Sequence, residues 1–575
     1  MAKNWIFRSR ADGATSMPPS FETLADRLGI SQKLARLLWL RGLDQPAVLE
    51  EYLNPRLKYL AKPEEWPGMK EAARILAEGL TSGKKLAVWG DYDAYGVTST
   101  AIVLEVLEHH GFPCLWHLPD RRTEGYGMNT QGVEELAAQG ASLLLTVDCG
   151  ISDSSVISRA RELGMTVVVT DHHLPPEALP PANVLCDPKL ASCPCASLAG
   201  VGVAFLLMCE LKARLAELNG TPKMDMRRVL DLVALGTLAD LVELEGQNRI
   251  LVKNGLLIIA EARRPGISEL KAVSGFAPLA TLGAGQVVFN LAPRINAAGR
   301  VASAETALAL LRSRTHDEAA DFARQLNDFN STRRSEEERI TEEAIARAEE
   351  ELDAPALVIA GENWNQGIIG IVASRLVEKY HKPTLVLCRD GSSLKGSGRS
   401  ISAFDLHGGL AACSETLEAY GGHRMAAGLR IQPERLGEFK KMFLETVRET
   451  LGTEPVPATQ MVDDVLDFKT ASNQIFLREL EMMQPFGIGN PEPVFQSPPL
   501  MVKRRKLFGP QRNHVLLELT DESCGITLQA KAWRQADQFP PDLEGRLIRL
   551  AYSPSIDMYN GVASVNVRIR DWKLA

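Results

Sequence analysis

Four groups of acidic and histidine residues stand where they could bind hard divalent cations. GDYDAYG at 90–96 follows the apolar run KKLAVW and puts Asp91 and Asp93 two residues apart on a turn. LLLTVDCG carries Asp148, and MTVVVTDHH ends on Asp171, His172 and His173. LVALGTLADLVEL holds Asp240 among apolar neighbours. Carboxylate oxygens suit Mg²⁺ and Mn²⁺, and neutral imidazole is a good Mn²⁺ ligand. Each group has an ordinary reading on its own: an Asp-rich turn, an Asp after a strand, a helix cap for Asp240. Adjacent histidines after an apolar strand are uncommon. A buried, unpaired carboxylate is costly, so Asp240 needs a cation or hydrogen bonds. Combined, the groups can share one pocket. Two metal ions about 3.5–4 Å apart are a common apparatus for phosphodiester hydrolysis, one preparing the nucleophile and one stabilising the leaving oxygen.

The elements that must position these groups are legible as short apolar runs. Between about 84 and 190, KKLAVWG, PCLWHLP, ASLLLTVDCG, MTVVVTDHH and ANVLCD alternate with helix-patterned stretches such as VEELAAQG and SVISRARELG. Continuous apolar strands alternating with helices predict a parallel sheet covered on both faces. Ligands of such sheets bind beyond the carboxyl ends of the strands, which is where the acids and histidines fall.

The remainder reads more coarsely. Residues 20–60 have helical spacing, and 225–310 are mainly helical with a Pro/Gly-rich loop at FNLAPRINAAGR. Residues 317–353 lack Pro and Gly and are highly charged, which predicts one long helix tying two domains together. A second α/β unit follows over 354–450, with APALVIAG, a helix, PTLVLCRD and then turns. After a Pro-rich break at 453–458, the alternation in HVLLELTD, LIRLAYS and ASVNVRIRDW predicts a small β-barrel.

Composition sets the bounds. A chain of 575 residues, 45% hydrophobic and 24% charged, is expected to be globular with about three or four domains. No run approaches the roughly 18 apolar residues of a membrane span, and MAKNWIFRSR has no apolar export core. A cytoplasmic location is expected, with the nine scattered cysteines as reduced thiols. Cys193 and Cys195 stand in C-P-C, too tight for a C-x-x-C zinc knuckle, and read as incidental loop thiols. The net charge of −8 argues mildly against nucleic-acid binding but leaves room for a local basic groove. MVKRRKLFGPQRNH offers one: Lys503, Arg504, Arg505, Lys506, Arg512 and His514 surround Phe508. Such a strip suits a single strand, charge tracking phosphates and the ring stacking on bases. It equally suits an edge strand kept apart by charge.

The order GDYDA-x-G, VDCG, TDHH, ALGTLAD resembles the four motifs of the DHH phosphoesterases. The continuation is similar to the RecJ nucleases in particular: PDRRTEGYG (119–127), AGVGVAF (199–205), LAPRINAAGR (291–300), GSGRSI (396–401), GGHRMAAG (421–428) and QPFGIGNPEP (484–493). The resemblance covers nearly the whole chain. It implies an α/β fold in five parts: an N-terminal helical segment (1–70), a parallel-sheet DHH domain (71–315), a connecting helix (316–353), a second α/β domain, DHHA1 (354–452), and an OB-fold β-barrel (453–575). It implies a pocket for two Mn²⁺ or Mg²⁺ ions, bridged by Asp148, with Asp93, His172 and Asp240 as ligands and Asp91 as ligand or neighbour. His173 would face the scissile phosphate. Arg121, Arg294, Asn296 and Arg300 would hold the DNA backbone, and Ser397, Arg399 and His423 the 5′-terminal phosphate. The implied activity is 5′→3′ degradation of single-stranded DNA to mononucleotides in repair and recombination, with a narrow passage excluding duplex. A monomer and a single-stranded-DNA-binding protein as partner are implied with it.

Two departures stand out. The family motif reads Asp-x-Asp-x-Asp-Gly, and its third Asp, a metal ligand, is here Tyr95. A phenol has a pKa of about 10, so a neutral group replaces an anion. Severely impaired catalysis is expected, with the fold intact. In GENWNQGIIG (361–370), Asn365 and Gln366 replace the family's His-Pro. A competing reading is a catalytically inactive single-stranded-DNA-binding protein on the same scaffold. Another is a phosphodiesterase for very short or cyclic oligonucleotides, against which the OB-like segment argues.

Overall fold

Lys85–Trp89, Ala141–Val147 and Thr166–Thr170 are buried along almost their whole length, as strands covered on both faces must be. With Leu115–His117 and Val184–Cys186 they form a five-stranded parallel sheet. The computed structural model of the chain describes residues 3–121, 123–125, 127–559 and 562–575; Arg122 and Tyr126 of the PDRRTEGYG motif lie outside them. One sheet face packs Ala87, Trp89, Leu144, Val167 and Val169 against Val133, Leu136, Ile157 and Ala160 from the helices Thr130–Ala138 and Ser154–Glu162. Helix Ala94–His109 is buried nearly all round, its small polar Thr98, Ser99 and Thr100 enclosed along with the apolar Ala101–Leu104, Val106 and Leu107.

The stretch FNLAPRINAAGR, expected as a loop, is helical: a π-helical turn, Val287–Leu291, runs into helix Ala292–Val301. Pro293 sits in the first turn, where no intrahelical N–H is needed. Gly299 is there because a Cβ would lie 2.7 Å from the Tyr92 carbonyl oxygen. Neither residue breaks the helix, for those two reasons.

The long helix is His316–Glu349, 34 residues, or roughly 50 Å at 1.5 Å per residue. Thr315 caps it by accepting from the Glu318 amide at 3.3 Å, and Ala319, Ala323, Leu326, Ile340, Ala344 and Ala348 form its buried stripe. Its second half packs on a mixed sheet ordered Ala419–Gly422, Ala426–Ile431, Ser393–Arg399, Thr384–Asp390, Leu357–Gly361. In chain order, the last three of these strands were expected as turns. Their glycines allow close packing: a Cβ on Gly396 would press into Leu429, and one on Gly398 into Leu385.

Residues 60–456 form one compact unit, and residues 1–59 fold with 457–575 as the other. The first 59 residues therefore do not stand alone as an N-terminal helical segment, and residues 60–70 go with the larger unit. The segment opens with strand Asn4–Phe7, paired in parallel with Thr459–Val462 and pinned by Arg8 to Asp463 at 2.7 Å. In the C-terminal part, Leu547–Tyr559, Leu500–Phe508, His514–Asp521, Ile526–Ala532 and Val562–Leu574 pair in that order, and the last pairs back with the first. That closure makes a five-stranded barrel. Among the described residues no helix is long and apolar enough to cross a membrane, and all nine cysteines are free.

Candidate metal centre

Three neighbouring parallel strands end together, with Trp89 level with Thr146 and Val147 with Thr170. Asp91 and Asp93, then Asp148, then Asp171 to His173, thus leave one sheet edge. Asp148 takes a left-handed backbone, φ 65°, while its amide donates to the Thr170 carbonyl at 2.9 Å. Short polar Asp tolerates that conformation better than most residues. Helix Gly200–Asn219 begins against this carboxylate: a Cβ on Gly200 would lie 1.9 Å from Asp148 Oδ1. Asp93 caps helix Ala94–His109, accepting from the Gly96 amide at 3.1 Å. Asn296 accepts from the Ala94 amide at 2.8 Å, so helix Ala292–Val301 clamps the GDYDAYG turn.

His172 Nε2 lies 3.3 Å from Asp148 Oδ1 and 3.4 Å from Asp240 Oδ2. Asp148, His172 and His173 bring ligand atoms within 4.8 Å of one another. Both oxygens of Asp148, His172 Nε2, Asp240 Oδ2 and Asp91 Oδ2 are buried without a hydrogen-bond partner among the described residues. Burial first, and then the neighbouring carboxylates, push Asp93, Asp148 and Asp240 well above the usual carboxylate range. Asp240 is the last residue of helix Leu230–Asp240, at the negative end of its dipole, where a carboxylate gains no stabilisation from the helix. Burial, then the His173 charge, lowers His172 to about 3, leaving a neutral imidazole with a free lone pair. Buried acceptors that lack donors, plus a neutral histidine, are the donor set a divalent cation requires. The residues fit the ion.

Asp171 organises the rest. Its Oδ1 meets His173 Nδ1 at 2.7 Å and accepts from the His172 and His173 amides at 2.7 and 3.1 Å; its Oδ2 accepts from the Ile151 amide at 3.0 Å. Burial lowers the His173 pKa, but Asp171, Asp240 and Asp93 together carry it above its ordinary value. Sequence reasoning placed Asp171 at the site without a role; the signal was its position directly before the two histidines. Lys189 was missed; its ammonium donates to the His172 carbonyl.

Tyr95 stands among the acids. The charge of Asp93, then burial, then Asp148 and Asp240, hold its phenol well above its ordinary pKa. It is a neutral group inside an acidic pocket.

The expected phosphate-holding residues divide. Arg121 lies over the Tyr92 ring at 5.3 Å. Arg300 donates to the Gly367 carbonyl of the second α/β part, and burial, then Arg121 and Arg333, lower its pKa to about 10. A guanidinium crowded by other guanidiniums is suited to an anion. Arg294, by contrast, is an internal brace: it donates to Asn327 Oδ1 at 3.1 Å, the Asn290 carbonyl at 2.5 Å and the Val273 carbonyl at 3.2 Å. Val273 ends a helix, where carbonyls need outside donors, and Asn290 lies in the π-helical turn, its carbonyl accepting also from Ser274 Oγ at 3.4 Å. Asn296 uses its Oδ1 to accept from the Ala94 amide.

On strand Ser393–Arg399, Ser397 and Arg399 share a face by alternation and stand beside the start of helix Ile369–Tyr380. A Cβ on Gly370 would lie 2.9 Å from Ser397 Oγ and 3.2 Å from an Arg399 nitrogen. A guanidinium and a hydroxyl at a helix N-terminus are anion-binding chemistry. His423 is exposed in a turn, its amide donating to the Ala426 carbonyl at 2.8 Å. Asn365 accepts from the Gly367 amide at 2.8 Å and donates to Glu336 at 3.2 Å, and Gln366 donates to Asp390 at 2.8 Å.

In the barrel, Lys503, Arg504 and Lys506 are exposed. Arg505 donates from Nε and Nη2 to the Phe539 carbonyl at 3.1 and 2.7 Å. Phe508, His514 and Trp533 form a ring cluster with centroids 4.9–5.3 Å apart, and Trp533 is 48% exposed. Trp533 was missed; the signal was an aromatic beside Arg534 just past a strand.

Comparison with known proteins agrees with this architecture. The model of the DHH family, N-terminal domain, matches residues 85–237, the DHHA1 domain 353–449 and the RecJ OB domain 462–571. The chain is 35% identical to a single-stranded-DNA-specific exonuclease RecJ of Dickeya dadantii over 590 residues, covering 99% of each. It is 34% identical to the protein of that name from Bacillus subtilis, covering 96% of this chain and 69% of the other. A crystal structure of RecJ in complex with Mn²⁺ from Thermus thermophilus superposes with a TM-score of 0.82 at 30% identity, covering 100% of this chain and 80% of that one. A second structure of that protein is a complex with Mg²⁺. With the DHH motifs on one sheet edge and relatives matched over the whole chain, the protein belongs to the RecJ family.

Proposed function

We propose that the chain hydrolyses single-stranded DNA from the 5′ end, releasing mononucleotides for repair and recombination, at a Mn²⁺- or Mg²⁺-dependent centre impaired by Tyr95. The observation that carries this is the set of partnerless buried ligand atoms on Asp148, His172, Asp240 and Asp91. Relatives named single-stranded-DNA-specific exonucleases, and RecJ structures holding Mn²⁺ and Mg²⁺, support it.

Asp91, Asp93, Asp148, His172 and Asp240 would hold the metal. Bound there, it supplies Lewis-acid activation of water and charge stabilisation at the departing oxygen. His173, oriented by Asp171 and carried toward its protonated form, donates to a phosphate oxygen. Arg121 and Arg300 steady the backbone. Ser397, Arg399 and His423 receive the 5′-terminal phosphate. Lys503, Arg504, Lys506 and Phe508 track the strand on the barrel. Tyr95 replaces an anion with a neutral hydroxyl, and changes even beyond the ligand shell commonly cost about 10–100-fold. A monomeric, cytoplasmic protein that works with a single-stranded-DNA-binding protein completes the reading.

The neutral phenol among the acids favours one second reading: a protein that binds single strands without cutting them. The test incubates 5′-phosphorylated single-stranded and duplex DNA with Mn²⁺ and this chain, its Tyr95→Asp variant, or its Asp148→Asn variant. Slow release of mononucleotides from the single strand, at least about 10-fold faster in Tyr95→Asp and absent in Asp148→Asn, is expected. Strand binding without cleavage by either the parent or Tyr95→Asp would establish the second reading instead.

A further inference from the structure

We infer that an arginine-lined cavity, at the end of helix Ala94–His109 away from the metal centre, binds a small organic polyphosphate of nucleotide size. The inference is independent of the metal-centre reading.

The cavity measures about 910 Å³, within the roughly 300–1,000 Å³ of small-molecule sites. Glu105 and Glu108 line it from helix Ala94–His109, roughly 18 and 22 Å beyond Asp93 at 1.5 Å per residue. Asp231 lines it from the first turn of the helix that Asp240 ends. The remaining walls come from the end of helix Gly246–Glu261 and from the segments 224–228, 263–265 and 312–314.

The chain carries a net charge of −8, yet six of the lining residues are arginine and none is lysine: Arg227, Arg228, Arg263, Arg264, Arg312 and Arg314. Arg264 serves the fold. It meets Asp231 and Glu105, each at 2.8 Å, and donates to the Leu311 carbonyl at 3.2 Å. Arg228 meets the same Glu105 at 3.0 Å, while Arg312 and Arg314 share Glu108 at 3.2 and 3.3 Å. Four guanidiniums therefore divide three carboxylates. Arg228 engages through Nε, and Arg312 and Arg314 through one Nη each. Their other guanidinium nitrogens have no partner among the described residues. Such forks fit phosphate oxygens in pairs. A terminal phosphate carries about −1.5 to −2 at pH 7, so it competes well against a single carboxylate. Glu105 and Glu108 stand one helical turn apart, about 5–6 Å between Cβ atoms, which spaces their arginines for successive phosphoryl groups of one ligand. Helix Pro265–Val273 starts at the same wall without a side-chain cap, so the positive end of its dipole adds to the field. Met224 and Ile258 offer an apolar wall to the uncharged part of the ligand.

The test is calorimetric titration of the full chain with ATP and with inorganic phosphate, in chelator and without DNA. One ATP should bind per chain, at least about 10-fold more tightly than phosphate. Arg314→Ala, at the exposed rim, should weaken ATP binding about 10-fold, the loss of one charge-assisted hydrogen bond. Glu108→Gln releases Arg312 and Arg314 and should tighten it by a similar factor, a gain that a purely structural ion-pair network does not give. Arg399→Ala, in the separate phosphate-holding set, should leave ATP binding unchanged. No ATP bound by either the parent or Glu108→Gln would overturn the inference. So would binding that is lost in Arg399→Ala and kept in Arg314→Ala. If ATP does not bind but Arg314→Ala weakens single-strand binding, the face follows a nucleic-acid backbone and the small-ligand assignment falls.

Discussion

Asp171 Oδ1 stands 2.7 Å from His173 Nδ1 while also accepting from both histidine amides, so a single carboxylate sets the ring's position and its charge. If protonated His173 holds the phosphate, activity is present below its folded pKa and lost as pH rises through it. Asp171→Asn removes the anion that raises that pKa. The falling limb of the pH–rate profile should move to lower pH, and the rate at its optimum should drop about 10–100-fold. A limb that stays in place would remove His173 from this role.

Metal-free stability carries its own pH signature. Burial and mutual repulsion raise the pKa values of Asp93, Asp148 and Asp240 in the folded chain. The native state then binds more protons than the unfolded one, so stability falls as pH rises. His173, also raised, acts in the same direction. His172, lowered to about 3, acts oppositely, but only between about 3 and its unfolded value near 6.5. From pH 6.5 to 8 the chelated protein should therefore melt at progressively lower temperature, and added Mn²⁺ should give a larger rise at pH 8 than at 6.5. A metal-induced rise that shrinks with pH would contradict the assignment of these carboxylates.

Gly200 tests how closely the helix beneath the site must approach. Alanine is the better helix former by about 1 kcal/mol, yet its Cβ would meet Asp148 Oδ1 at 1.9 Å. Gly200→Ala should weaken Mn²⁺ binding about 10–100-fold by displacing that carboxylate, measured by calorimetric titration. Unchanged affinity would show that Asp148 can shift at no cost to the ion.

The chemistry was more legible than the bracing. Strands that run apolar and stop on an acid announce a site because side-chain period and strand ends are local properties, and the placing of Asp148 and His172 on one edge followed from them, whereas Asp240 comes from the end of a helix. Arg294 and Asn296 sit in the same motif as Arg300, and nothing local separates a guanidinium that meets carbonyls from one that faces a groove. Their partners, Val273, Asn327 and Ala94, are distant in sequence. FNLAPRINAAGR misled because Pro and Gly are breakers only where an N–H or a Cβ is needed, and here neither is. Arg505 looked like its basic neighbours until the barrel turned it to Phe539.

Arg294 and Arg121 should therefore fail in different ways. Arg294→Ala removes the guanidinium donor from the Val273 carbonyl and one of two side-chain donors from the Asn290 carbonyl, which keeps Ser274 Oγ at 3.4 Å, and should lower stability by about 1–3 kcal/mol in urea unfolding. Arg121→Ala should leave stability nearly unchanged and weaken single-strand binding in fluorescence anisotropy. The reverse pattern would return Arg294 to the DNA-holding set.

On the barrel, charge and stacking can be told apart by salt. Trp533, half exposed and packed at 5.3 Å on Phe508 and 4.9 Å on His514, presents a rigid aromatic face. Base stacking on such a face contributes about 1–3 kcal/mol and does not depend on ionic strength. Lys506 is exposed and would instead release counterions, each phosphate contact on a single strand contributing about 0.7 to the slope of log K against log salt. Trp533→Ala should lower affinity about 5-fold or more with an unchanged slope, whereas Lys506→Ala should flatten the slope. Arg505→Ala, because its guanidinium is tied to the Phe539 carbonyl, should alter the slope little and cost stability instead. If Trp533→Ala changes the slope and not the affinity at high salt, the ring cluster is a packing feature of the barrel and the strand is held by charge alone.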